Sequence, residues 1–100
     1  DQKVDGVRAK NVKTGEQSTI DTDGVFIFIG HYPNTALFSG QLNMDEKGYL
    51  KTDHNMMTSV PGIFAGGEVQ DPIYRQIATS VGQGSAAGMM AIRWLREPWG

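Results

Sequence analysis

Along the first twenty residues the apolar positions fall singly. Val4, Val7, Val12 and Ile20 are separated by polar residues and interrupted by Thr14-Gly15-Glu16, a pattern that predicts two half-exposed strands joined by a turn. Past the break at Asp21-Thr22-Asp23-Gly24 the pattern changes to one continuous run, Val25-Phe26-Ile27-Phe28-Ile29. β-Branched and aromatic residues without polar alternation suit a strand buried on both faces, so this segment is expected to sit inside an α/β layer. Gly30-His31-Tyr32-Pro33-Asn34 ends it. Gly and Pro punctuate, and the residue before Pro is pushed out of the helical region, so a crossing or linker is expected there.

The middle of the chain is patchier. Leu37, Phe38 and Leu42 among polar neighbours predict a short helical turn and then a loop over residues 35–43. A turn follows at Asp45-Glu46-Lys47-Gly48, a short strand at residues 49–52 and a polar connection at 53–59. After Val60-Pro61-Gly62, the apolar triplet Ile63-Phe64-Ala65 reads as a brief strand that stops at Gly66-Gly67-Glu68. Glu68 is thereby expected at a strand's C-terminal end. From there on the period is helical: Ile77, Val81, Met89, Ile92 and Leu95 recur up to the stop at Glu97-Pro98, predicting one amphipathic helix from Ile77 to Arg96. It carries Gly82, Gly84 and Gly88. Each interior glycine costs about 1 kcal/mol relative to Ala, which the helix is expected to offset by laying its bare backbone against a sheet, a partner helix or a flat ligand.

Composition narrows the classes of function. With 100 residues, 9 basic against 11 acidic side chains and a formal charge of −2, the chain is one near-neutral domain at most, short for a complete enzyme. Neither nucleic acid nor an anionic membrane is an expected partner, because no electrostatic footprint is present. The absence of cysteine excludes disulfides, thiolate metal sites and thiol chemistry carried by this chain alone. No apolar run reaches membrane-spanning length and the start Asp1-Gln2-Lys3 is no signal peptide, so a cytoplasmic protein is expected.

Few residues are placed to carry chemistry. Ligands of open α/β sheets bind outside the carboxyl ends of strands, where Glu68, after two glycines, could accept hydrogen bonds from a sugar or ribitol hydroxyl. A solvated turn carboxylate explains it as well. Arg75 and Gln76 precede the predicted helix, whose unpaired N–H groups and dipole favour electron-rich atoms such as a ligand carbonyl or ring nitrogen. The plainer account is surface polarity, with Arg75 paired to Asp71 for little gain. Gly82-Gln83-Gly84-Ser85-Ala86-Ala87-Gly88 looks like a dinucleotide fingerprint but follows no strand and opens no helix, so it is set aside as a phosphate cradle. His31 and His54 lack metal-spaced partners, no serine sits in a nucleophile elbow, and no carboxylate pair is framed for acid and base roles. The five methionines are expected to fill gaps in a packed interior.

Taken in order, Gly30-His31-Tyr32-Pro33-Asn34-Thr35, then Thr58-Ser59-Val60-Pro61-Gly62-Ile63-Phe64-Ala65-Gly66-Gly67-Glu68-Val69, then Tyr74-Arg75-Gln76 before a small-residue helix resemble the C-terminal part of low-molecular-weight, bacterial-type thioredoxin reductases. The resemblance spans nearly the whole chain. It implies an α/β fold, the C-terminal fragment of a two-domain, Rossmann-like FAD/NAD(P)-binding flavoprotein with short strands and one long C-terminal helix. By that comparison residues 1–29 are closing strands of the NADPH-binding domain and residues 30–100 belong to the FAD-binding domain. The activity implied is thioredoxin-disulfide reduction, in which NADPH reduces FAD and the flavin reduces a Cys-x-x-Cys pair that reduces thioredoxin.

Carried over by position, Gly67, Glu68 and Val69 lie against the FAD ribitol, and Arg75, Gln76 and Ile77 lie beside the isoalloxazine. Where the family has aspartate this chain has Glu68, so its carboxylate must retract or the ribitol must shift. The FAD and NADPH fingerprints and the redox cysteines lie upstream of Asp1 on this reading, and the chain by itself is expected to be inactive. Buried-type strands without sheet neighbours leave edges and an apolar face open, so a homodimer or other self-association is expected. The alternatives are a related peroxiredoxin reductase or ferredoxin–NADP reductase, and a stand-alone interaction or dimerisation module that keeps the fold without the cofactor.

Overall fold

A computed structural model describes residues 3–100. The chain divides into two compact units, Asp1–His31 and Tyr32–Gly100. In the first, β1 (Gly6–Lys10) and β2 (Gln17–Asp21) form an antiparallel hairpin whose register runs from Gly6 opposite Asp21 to Lys10 opposite Gln17. Asn11 closes the connection: its side-chain oxygen accepts the N–H groups of Lys13 at 2.9 Å and Thr14 at 3.2 Å, while its own N–H donates to the Glu16 carbonyl at 2.8 Å. An Asx turn of this kind holds a longer hairpin loop without side-chain burial. The alternating pattern of the first twenty residues therefore forms the predicted two strands.

The run at residues 25–29 does not become a strand buried on both faces. It forms no regular element, and its side chains are exposed, from 50% at Val25 to 93% at Ile29. A strand of that composition is buried only by hydrogen-bonded neighbours and by layers above and below. Among the described residues the only sheet is the two-stranded β1–β2 ribbon, and this run is not in it. The composition records the surroundings the segment suits; the unit does not supply them.

The second unit is built from turns around a small core. Leu42, Leu50 and Ala65 are buried together, with Phe38, Met44 and Val69 packed against them. The predicted helical turn appears as a 3-10 turn at Ala36–Phe38, behind the buried Thr35, whose hydroxyl donates to the Gly48 carbonyl at 2.6 Å. The strands expected at residues 49–52 and 63–65 shrink to isolated antiparallel bridges, Met44 with Leu50 and Met57 with Phe64. Aspartates take the N–H groups that longer ladders would use. One Asp45 carboxylate oxygen accepts from Lys47 and Tyr49 at 2.9 Å each, and one of Asp53 accepts from Asn55 at 2.8 Å and Met57 at 2.9 Å.

The helix α1 spans Ile77–Arg96, the bounds expected from the periodicity. At its start the Thr79 hydroxyl accepts the Gln76 N–H at 3.3 Å and donates to the Gln76 carbonyl at 2.9 Å. Its last turn holds Arg93 and Arg96, cations where the helix dipole is negative. The tail then folds back: the Trp94 indole N–H donates to the Trp99 carbonyl at 2.6 Å, and the Trp99 ring meets Phe64 edge-on at 6.2 Å. Gly62, at φ +83°, lies under the Trp94 ring, which a Cβ there would meet at 2.9 Å.

The close approach expected of the glycine-rich part of the helix is seen at Gln83 and Gly84. A Cβ on Gly82, Gly84 or Gly88 would meet nothing within 4 Å, so none of the three is kept a glycine by want of room at its own Cβ. The close approach comes from the opposite partner, Gly66, where a Cβ would stand 2.5 Å from the Gln83 carbonyl oxygen and 2.9 Å from the Gly84 nitrogen. Among the described residues no helix is long and apolar enough to cross a membrane.

Candidate functional site

Three contacts fix the turn that follows the Phe64 bridge. Gly66 lies flat on α1, as above. Gly67 is buried at φ +87°, a conformation that suits glycine, and its N–H donates to the Gln83 side-chain oxygen at 3.2 Å. Val69 packs on the core and its carbonyl accepts the Leu50 N–H at 2.8 Å. Between two anchored neighbours, Glu68 is exposed. The Gly67 carbonyl accepts both the Gln70 and Asp71 N–H groups at 3.1 Å, and this closes the turn.

Asp71 makes the next knot. It is only 4% exposed, and one carboxylate oxygen accepts the N–H groups of Ile73 and Tyr74 at 2.9 Å each, while the other accepts the Arg75 N–H at 3.1 Å. The Tyr74 N–H foremost holds the Asp71 carboxyl below its ordinary value, burial opposes it, and the Ile73 and Arg75 N–H groups and the Gln83 side chain add to the lowering. Arg75 itself sits at φ +50°. A left-handed backbone at a residue with a side chain is uncommon and persists where its surroundings determine it. Asp71 touches the Arg75 backbone, not a guanidinium pair of the kind the sequence suggested.

These two pieces bring Glu68, Arg75, Gln76 and Ile77 to one cavity of about 400 Å³, which Ser80 and Val81 complete. Gly67 and Val69 do not line it: one is buried under the turn, the other faces the core. The cavity's lining includes a carboxylate, a guanidinium and a helix N-terminus whose first turn carries no acidic residue. Such a wall accepts hydrogen bonds at Glu68 and donates them at Arg75, Gln76 and the helix start, while Ile77 and Val81 offer apolar surface. Sequence reasoning missed Asp71 as anything but a counter-charge and set Gln83 aside with the Gly-x-Gly string. The available signal was an Asp-Pro pair a few residues ahead of a helix, which is Asx-turn chemistry.

Residues 1–84, a span that contains the whole cavity lining, match the model of the pyridine nucleotide-disulphide oxidoreductase family. The chain belongs to that family. Within it, thioredoxin reductase of Mycolicibacterium smegmatis is 46% identical over 98 residues, covering 97% of this chain and 32% of the relative. Thioredoxin reductase of Chlamydia pneumoniae is 50% identical over 96 residues, 95% of this chain and 31% of the relative. The crystal structure of T. acidophilum thioredoxin reductase superposes with a TM-score of 0.78 at 39% identity, covering 92% of this chain and 31% of that one. That of Streptococcus pyogenes gives 0.73 at 41% identity, covering 94% and 31%. The chain thus spans about a third of the length of these members of the family, and its α/β arrangement of short strands and one long helix is theirs over that span.

Proposed function

We propose that this chain is the C-terminal part of an FAD-dependent thioredoxin-disulfide reductase and supplies one wall of the flavin site. The convergence of Glu68, Arg75, Gln76 and Ile77 on a single cavity carries the reading. The residues present fit such a ligand: an exposed carboxylate for a chain of hydroxyls, donors for carbonyl and ring-nitrogen acceptors, and two aliphatic side chains for a flat ring. FAD, when bound, supplies the relay of two electrons between NADPH and a dithiol.

The residues of this chain bind and orient. Glu68 would accept hydrogen bonds from the ribitol hydroxyls, Arg75 and Gln76 would donate to acceptors of the pyrimidine ring, and Ile77 and Val81 would offer the ring apolar surface. On this reading residues 1–29 close the NADPH-binding domain and residues 30–100 belong to the FAD-binding domain. The dithiol that passes electrons to thioredoxin comes from elsewhere in the polypeptide, since this chain has no cysteine. The 100-residue chain alone is therefore inactive.

Glu68→Ala and Arg75→Ala, each made in the longer protein that carries this sequence, test the wall. A charged hydrogen bond to a ligand contributes about 1.5–3 kcal/mol, so each substitution is expected to weaken FAD binding about tenfold or more, read by flavin fluorescence titration. Unchanged affinity in both variants would overturn the assignment. Loss of NADPH-dependent thioredoxin reduction is expected to follow the loss of flavin.

A further inference from the structure

We propose that Asp71 is the positioning residue of this wall: by gathering the N–H groups of Ile73, Tyr74 and Arg75 on one buried carboxylate, it sets the left-handed backbone that delivers Arg75 and Gln76 to the cavity that Glu68 also lines. The inference rests on the flavin-wall reading and deepens it. Asp71 does not line the cavity, so its effect on a ligand passes through the residues it holds.

Three observations meet at this residue. Its two oxygens divide the work, one bridging Ile73 and Tyr74 at 2.9 Å and the other reserved for Arg75 at 3.1 Å. Arg75 at φ +50° occupies a conformation that an isolated arginine seldom adopts, and its N–H is held in that conformation by the carboxylate. Gln83 ties this knot to the turn that carries Glu68, since its side chain lies by Asp71 while its oxygen accepts the Gly67 N–H at 3.2 Å. The third turn-forming aspartate thus differs from Asp45 and Asp53, whose turns contribute no residue to this cavity.

Asp71→Asn isolates the role, because it keeps the volume and one acceptor oxygen but sets an NH2 group against one of the N–H donors. FAD affinity of the longer protein is measured in the parent, in Asp71→Asn, in Arg75→Ala and in the double variant. Asp71→Asn is expected to weaken FAD about tenfold, and the double variant is expected to bind no worse than the weaker single one, since both remove the same contact. A double variant weakened by the product of the two factors assigns Asp71 a general structural role and overturns the proposal, as does unchanged affinity in Asp71→Asn alone. If Glu68→Ala and Arg75→Ala both leave affinity unchanged, the flavin-wall reading falls as well. Independently of any variant, amide hydrogen exchange at Ile73, Tyr74 and Arg75 in the parent is expected to be slowed at least about tenfold by these bonds; exchange at free-chain rates overturns the knot.

Discussion

A Cβ placed on Gly66 stands 2.5 Å from the Gln83 carbonyl oxygen and 2.9 Å from the Gly84 nitrogen, backbone atoms that cannot swing aside as the end of a flexible side chain can. Gly66→Ala must therefore push the strand end off α1, and overpacking of this kind costs about 1–3 kcal/mol. On the helix side the sign reverses. Gly82→Ala meets nothing within 4 Å and replaces the poorest ordinary helix former, so a gain of up to about 1 kcal/mol is expected. Urea denaturation of the two variants of this chain checks both signs together. The sequence showed that small residues were needed near here; it did not show on which partner, because a glycine's reason lies in the atom across from it.

For the helix and the turns, much was legible and for distinct reasons. Both ends of α1 follow from periodicity and from Glu97-Pro98, local signals that tertiary contacts had no cause to override. The strands at residues 49–52 and 63–65 were harder, since a run of three or four apolar residues fits a bridge as well as a ladder, and the competing hydrogen bonds come from Asp45 and Asp53. The same competition gives the Asp71 turn a pH dependence. Its carboxyl is lowered from 3.8 in the folded chain, chiefly by the Tyr74 N–H. The unfolded chain therefore binds the proton first as pH falls. The contribution is complete above 3.8, and it is lost as pH drops from there through the lower folded value. Urea midpoints measured across that acid range are expected to fall for the parent and to fall less for Asp71→Asn.

At the level of the whole molecule, the candidate site was legible only through the ordered likeness of three segments to one family. Composition and spacing left Glu68 and Arg75 as ordinary surface groups, and it is the fold that brings them to one cavity. Gln83 could not have been found that way, since its role depends on a turn sixteen residues earlier. The core that carries all this is slight: among the described residues no large side chain is less than 2% exposed, while Phe26, Ile27 and Phe28 are 76–87% exposed. Apolar surface of that extent associates in water. The isolated chain is expected to form dimers or larger species by light scattering, and a monomer at high concentration would contradict this.

Both tryptophans of the chain belong to the clasp in which the Trp94 indole reaches the Trp99 carbonyl and Trp99 rests against Phe64. Ultraviolet emission excited at the indoles consequently watches one place alone, the fastening of the tail to the last turn of α1. Melting of the β1–β2 ribbon passes unseen by that optical signal and has to be followed by the far-ultraviolet dichroism of its backbone.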